Sequence, residues 1–260
     1  MKFGGASLST PQQFDDVAEL ICRRQNEYKQ IVVVVSAMGK TTDELTNLAR
    51  QVNPSPPQRE LDMLLTVGER ISMSLLAMAL AKKDRHAVSF TGSQAGIITC
   101  PRHAEAKIVD VKPTRLIKSF SENKLVIVAG FQGVSRAGEI TTLGRGGSDT
   151  TAVALGIALQ AERVEFYKDV AGMYAEDPKL NPASTAFDKL TYDEAIAIVS
   201  KGAKILHLRS LVLAKANAIP LIIRSFKTEH SNTAGTIISD LFPPGLPAYE
   251  QESEMQYAYT

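Results

Sequence analysis

Three glycine-rich turns hold the residues best suited to chemistry. The first is Lys2-Phe3-Gly4-Gly5-Ala6-Ser7 and the second is Ser36-Ala37-Met38-Gly39-Lys40-Thr41-Thr42-Asp43. The third is Gly144-Arg145-Gly146-Gly147-Ser148-Asp149. Each joins glycine to a cation and a hydroxyl. Glycine lets a backbone approach a ligand closely and adopt positive φ. Where such a turn opens a helix, free N–H groups and the helix dipole favour an anion. One such turn would be ordinary, since glycine is common in turns. Three of them, each with charged or hydroxyl side chains, point to a site that binds anions. None has the GxxxxGK[ST] spacing of a phosphate loop, and none is a GxGxxG dinucleotide fingerprint. A P-loop NTPase and a nicotinamide enzyme are therefore disfavoured on spacing alone.

Elements that could position these turns alternate along the chain. Phe14, Val17, Ala18, Ile21 and Cys22 recur at helical spacing, with Pro11 in the first turn and Ser9 or Thr10 as cap. Ile31 to Val35 is a continuous β-branched run, the pattern of a strand buried on both faces. Helices are expected over Thr42 to Gln51, Leu61 to Lys83 with a break near Gly68, Pro113 to Glu122, Ser148 to Gln160, Tyr192 to Ser200 and His207 to Asn217. Strands are expected over Ala87 to Thr91, Leu125 to Ala129, Val164 to Tyr167, Leu221 to Arg224 and Thr236 to Ile238. Val134 to Thr142 reads as a hairpin around Ala137-Gly138. This alternation predicts an α/β fold, a layered αβα sandwich around a mostly parallel central sheet. Ligands of such sheets sit outside the carboxyl ends of the strands.

Composition narrows the setting. The 260 residues are 44% hydrophobic and 22% charged, with a net charge of +1. No bulk field draws nucleic acid or an anionic membrane, so an anionic ligand must be held by local charges. Cys22 and Cys100 lie far apart, as do the four histidines, which excludes a CxxC motif and gives no zinc-like spacing. Ile31 to Val35 is the purest aliphatic run and is far too short to span a bilayer. The expectation is a soluble, cytoplasmic protein with no nucleic-acid or membrane partner. Residues 1–240 are expected to form one catalytic domain, and 241–260 a tail or truncated linker.

The opening Lys2 to Ser7 resembles the KFGGTS start of aspartokinases, within the wider amino-acid kinase family. Val35-Ser-Ala-Met-Gly-Lys-Thr-Thr-Asp43, Gly68-Glu69-Arg70 and Thr142-Leu-Gly-Arg-Gly-Gly-Ser-Asp149 continue the resemblance. So do Tyr167-Lys-Asp-Val-Ala-Gly-Met-Tyr174, Asp177-Pro-Lys179 and Gly202-Ala-Lys-Ile-Leu-His207, in order and reaching about Ile238. The resemblance implies ATP-dependent phosphorylation of the side-chain carboxylate of L-aspartate, with Mg²⁺. That reaction is the first step toward lysine, threonine, methionine and diaminopimelate. A homodimer is a candidate assembly. A carboxylate acceptor is already ionised at neutral pH and needs no general base. The obstacle is its repulsion from the triphosphate, so positioning and cations must supply the catalysis.

The resemblance also suggests roles for residues. Lys2 and Lys204 are the expected phosphate-contacting lysines, with Gly4, Gly5 and Ser7 lining the phosphates. Arg145 is expected to grip the α-carboxylate of aspartate through its planar fork, and Asp149 to meet the α-ammonium. Ser36, Thr42, Glu69 and Ser148 complete the expected aspartate site. Lys168, Asp169, Tyr174, Asp177 and Lys179 are expected to hold the nucleotide. Without the family, Asp149 and Ser148 would read as a helix cap, Glu69 as a partner of Arg70, and Tyr174 as a core aromatic.

Some positions depart from the pattern. Ala6 stands where threonine is usual, and Leu208 where proline is usual. Only Met1 precedes the lysine, where the family normally has an apolar strand. Aspartokinases usually continue into ACT regulatory domains, and no segment of that size follows Ile238. The expectation is an excised catalytic domain or a naturally unregulated enzyme. The alternatives are a kinase for acetylglutamate, glutamate or UMP, or a non-catalytic sensor on the same fold.

Overall fold

The computed structural model describes residues 1–176, 181, 183–227 and 233–240. The chain opens on a two-residue strand, Lys2–Phe3 (β1), a 3₁₀ turn at Gly5–Ser7 and the helix Pro11–Arg24 (α1). Thr10 and Gln13 cap α1 reciprocally, and Pro11 sits where its missing N–H costs nothing. Val32–Val35 (β2), Thr41–Val52 (α2), Gln58–Leu65 (α3), Val67–Ala81 (α4) and Ala87–Phe90 (β3) follow. Next come Ile97–Thr99 (β4), Ile108–Val111 (β5), Thr114–Ser121 (α5), Leu125–Ala129 (β6), Gln132–Ser135 (β7) and Ile140–Thr142 (β8). The last part holds Gly147–Ala158 (α6), Val164–Lys168 (β9), Lys189–Leu190 (β10), Tyr192–Ser200 (α7), Leu208–Ala216 (α8), Leu221–Ser225 (β11) and Thr236–Ile238 (β12).

Among the described residues the main sheet has the order β10-β12-β11-β9-β1-β2-β6-β3. Every neighbouring pair is parallel except β11 with β12. The sequence accounts for this burial. Val33 and Val35 of β2, with Leu125 and Ile127 of β6, pack with Phe14, Val17 and Ile21 of α1 and Leu76 and Leu80 of α4. Val34, Val126, Val128 and Phe166 point the other way, into a core with Val153 and Leu155 of α6 and Leu211 and Ala214 of α8. Successive strand residues face opposite sides, so a strand between two helical layers must be apolar throughout. The layered α/β expectation holds. The parallel strands β1 and β2 lead directly into the first two glycine-rich turns, while the third lies between β8 and α6.

The structure also corrects the reading. A second sheet, β5-β4-β7-β8, stands beside the first. Its strands β4 and β5 fall in a stretch assigned no element, because three or four residues between glycines and charges carry no clear period. The two-residue strand β10 likewise carries too little of a period to be read. The long expected helix begins at Gln58 rather than Leu61 and breaks at Thr66 rather than Gly68. Gln132 Nε2 donates to the Thr66 carbonyl at 3.0 Å, satisfying a group that the break releases. Gly68 marks a close approach instead: a Cβ there would lie 2.8 Å from the Ala37 Cβ. Residues 241–260 lie outside the described residues. Taken together, Gln58–Ala81 has the length and mean hydropathy, 1.5, of a membrane-crossing helix. Half of it is buried inside the protein, and it buries Asp62 and Glu69, which suits a core helix.

Candidate active site

Lys2 is not a loose terminal residue. It lies in β1 between Val34 of β2 and Phe166 of β9 and is 5% exposed. Its Nζ sits 2.7 Å from Asp149 Oδ1, an ion pair poorly aligned as a hydrogen bond. Lys168, at the end of β9, brings its Nζ to 3.6 Å from Asp149 Oδ2. Asp149 belongs to the first turn of α6, so a helix N-terminus joins the two ammonium groups. Burial would raise the Asp149 carboxyl, but Lys168 and Lys2 outweigh it and hold it at about 2. Burial lowers Lys168 from the ordinary lysine range, against the pull of Asp149. Asp149 is therefore engaged by two lysines.

The first two turns pack backbone to backbone. Gly39 N donates to Gly5 O at 3.2 Å, and a Cβ on Gly5 would come within 2.8 Å of Ala37 O. Only glycine fits at position 5. A Cβ on Gly4 would sit 3.6 Å from Lys2 Nζ, so the bare backbone leaves room above that ammonium. Ser7 is turned inward. It is 1% exposed and its hydroxyl donates to Gly4 O at 2.7 Å, so it shapes the turn rather than lining an open surface.

Half-buried Ser36 donates its N–H to Phe3 O at 3.1 Å, and half-buried Thr42 lies in the first turn of α2. Glu69, in the first turn of α4, does not pair with Arg70. Its Oε1 accepts from Ala37 N at 3.1 Å, while its Oε2 is buried with no hydrogen-bond partner. Burial raises its carboxyl to about 7, against the Glu69 and Ala37 backbone N–H groups and the Lys2 charge, which lower it.

The third turn displays Arg145. Gly144 and Gly146 both have left-handed φ, 71° and 72°, and Arg145 is exposed between them. Its side chain makes no ion pair among the described residues. A Cβ on Gly146 would lie 2.1 Å from His207 Cγ, so the turn rests against the ring that precedes α8. Buried Ser148 packs against Gly130 at the end of β6.

The nucleotide residues are placed in part. Asp169 follows Lys168 and is half-buried, as is Tyr174, which bridges to Ala186 in the backbone. Asp177 and Lys179 lie outside the described residues. Lys204 is exposed between α7 and α8, with no ion pair among the described residues, and is not drawn into the cluster at Asp149. Three supporting residues escaped the sequence reading. Thr236 accepts from Met173 N at 2.7 Å and donates to Phe187 O at 2.5 Å, pinning the loop that leads to Tyr174. Asp62 and Arg209 are the other two, tied to the stem of the third turn. Asp62, inside Leu61-Asp-Met-Leu-Leu65, carried a signal in the sequence: a charge within an apolar helical run.

Residues 1–225 match the sequence model described as the amino acid kinase family. The chain belongs to that family. Relatives are aspartokinases: that of Corynebacterium glutamicum is 51% identical over 239 residues, covering 92% of this chain and 56% of that protein. That of Bacillus sp. is 46% identical, covering 92% and 57%. The chain thus spans little more than half the length of these curated relatives. Among solved structures, the aspartate kinase from Synechocystis superposes with a TM-score of 0.82 at 43% identity, over 96% of this chain and 41% of that one. E. coli aspartokinase III in complex with aspartate and ADP gives 0.81 at 26% identity, over 92% and 64%. UMP kinase from Bacillus anthracis, at 18% identity and a TM-score of 0.66, shares the fold.

Proposed function

We propose that this amino acid kinase domain transfers the γ-phosphoryl group of Mg-ATP to the side-chain carboxylate of L-aspartate, as a soluble cytoplasmic enzyme. The observation that carries the reading is the cluster of Lys2, Asp149 and Lys168 at the strand ends, beside a displayed and unpaired Arg145. Mg²⁺ enters with the nucleotide as part of the substrate. The aspartate carboxylate oxygen attacks the γ-phosphorus, the bond to the bridging oxygen of ADP breaks, and ADP leaves with that electron pair. Asp149 keeps two ammonium groups together before nucleotide arrives. Incoming phosphate competes for them and receives their charge as it develops. Arg145 takes the α-carboxylate in a paired contact. The free Oε2 of Glu69 is a second acceptor for the α-ammonium, beside Asp149. Lys204, Tyr174, Asp177 and Lys179 are proposed for the nucleotide on the family pattern.

The direct test is a coupled assay offering aspartate, glutamate, acetylglutamate and UMP with Mg-ATP, with hydroxylamine to trap acyl phosphate. Aspartyl hydroxamate is the expected product. Turnover of any other acceptor with none of aspartate would overturn the assignment.

Glu69 adds a pH signature. Its carboxyl is neutral below about 7 and charged above it. The aspartate KM should therefore fall by about tenfold between pH 6 and pH 8, as a one-unit shift either side of the midpoint implies. Glu69→Gln should raise the KM at pH 8 and flatten the profile. A folded-state pKa above the ordinary carboxyl value also means that folding binds a proton. Stability from Glu69 is thus present below the ordinary carboxyl range and lost as pH rises toward 7. Melting temperatures of Glu69→Gln should lack that decline.

A further inference from the structure

Asp62 is completely buried, yet it is a charge on a helix whose neighbours are apolar. Every contact it makes leads toward one place. Oδ1 accepts from Thr142 Oγ1 at 2.5 Å, and the Ala104 N–H reaches both oxygens at 3.1 Å. Oδ2 meets His103 Nδ1 at 2.8 Å. Thr142 is the last residue of β8, three positions before Arg145. Arg209, on α8 and 9% exposed, grips the next residue. Its Nη1 donates to Leu143 O at 2.5 Å and its Nη2 to Ala106 O at 3.2 Å. The strip at 104–106 closes the assembly, since Ala106 N donates to Thr142 O at 2.8 Å. A Cβ on Gly144 would lie only 3.2 Å from Ala104 O.

Burying a carboxylate and a guanidinium is costly unless each finds good partners, and here both are spent on one stem. Backbone beyond that stem turns left-handed at Gly144 and again at Gly146, with Arg145 exposed between. Arg145 makes no ion pair among the described residues, so its direction is set by the backbone on either side: this stem before it and the packing of Gly146 on His207 after it. We propose that Asp62 and Arg209 are positioning residues, a clamp of two opposite charges from distant helices that holds Thr142 and Leu143 so that Arg145 is aimed at its ligand. The carboxylate end of that ligand rests on the aspartate reading above; the clamp itself does not.

A misplacement of about 1 Å at a binding group can cost on the order of a hundredfold. Asp62→Ala should therefore raise the aspartate KM by about ten- to a hundredfold, with the ATP KM changed by less than about threefold. Asp62→Asn should restore most of the loss, because an amide oxygen still accepts from Thr142 and Ala104. Thr142→Val, which deletes one donor, should shift the aspartate KM in the same direction and less. Hydrogen exchange across residues 142–149 supplies a readout free of any substrate: the alanine variant should exchange faster there than in β2 or β6. A lower melting temperature with an unchanged aspartate KM and unchanged exchange at 142–149 would overturn the clamp. So would equal rises in both KM values, or a failure of Asp62→Asn to rescue. Should Asp62→Ala not fold, Thr142→Val and Arg209→Lys decide by the same split. If the wild-type enzyme does not use aspartate, the exchange measurement alone still decides.

Discussion

Replacing Lys2 with alanine is expected to lower kcat by about a hundredfold or more, the usual cost of removing one donor to a developing charge. Lys2 is held in a strand between two others and is almost wholly buried, so its ammonium is fixed in place. Lys168 would remain beside Asp149, and the carboxylate would then engage that lysine alone. The ground-state complex keeps the rest of its contacts, so both KM values should move little while the chemical step slows. Saturation curves in both substrates make the measurement, with a thermal melt to show that the variant is folded. Wild-type kcat in Lys2→Ala would remove Lys2 from the chemistry.

Arg145→Ala should act on the other substrate term. Loss of a paired, charged contact costs roughly 2–4 kcal/mol, and each tenfold is about 1.4 kcal/mol. The aspartate KM should rise by roughly ten- to a thousandfold, with the ATP KM much less affected. Arg145→Lys should not restore it, because an ammonium lacks the planar fork. The side chain is exposed and unpaired among the described residues, so its removal should not cost stability. A change confined to the ATP KM would show that Arg145 faces the nucleotide instead.

The frame of this fold was legible because burial on both sides leaves a mark in the chain: Ile31 to Val35 and Leu125 to Ala129 cannot be anything exposed. The glycine-rich turns were legible because three of them, each with a cation and a hydroxyl, recur along one chain. Distance was not legible. No reading of residue types reveals that Asp149 lies against Lys2, or that Ser7 folds back on Gly4. The supports were harder still. Asp62 and Thr142 are 80 positions apart, and Arg209 and Leu143 are 66 apart. Only packing brings such pairs together. The short strands β4, β5 and β10 were missed because two to four residues hold too little of any period.

The contact between Gly146 and His207 bears on how this domain could be re-engineered. The backbone at Gly146 packs against the side chain of a residue 61 positions later, and a single methyl group would collide with it. An alanine at 146 would also sit at left-handed φ, a further penalty of about 1–2 kcal/mol. The loop at 144–149 is therefore not a separable cassette. A library that varies residues 144–149 to change the acceptor will discard nearly every member altered at 146 unless position 207 is varied alongside it. A graft of the loop into another scaffold must bring the turn before α8 with it. Second-site revertants of damage at 146 should map to glycine at position 207, since an added Cβ would lie 2.2 Å from the His207 Cβ as well as 2.1 Å from its Cγ.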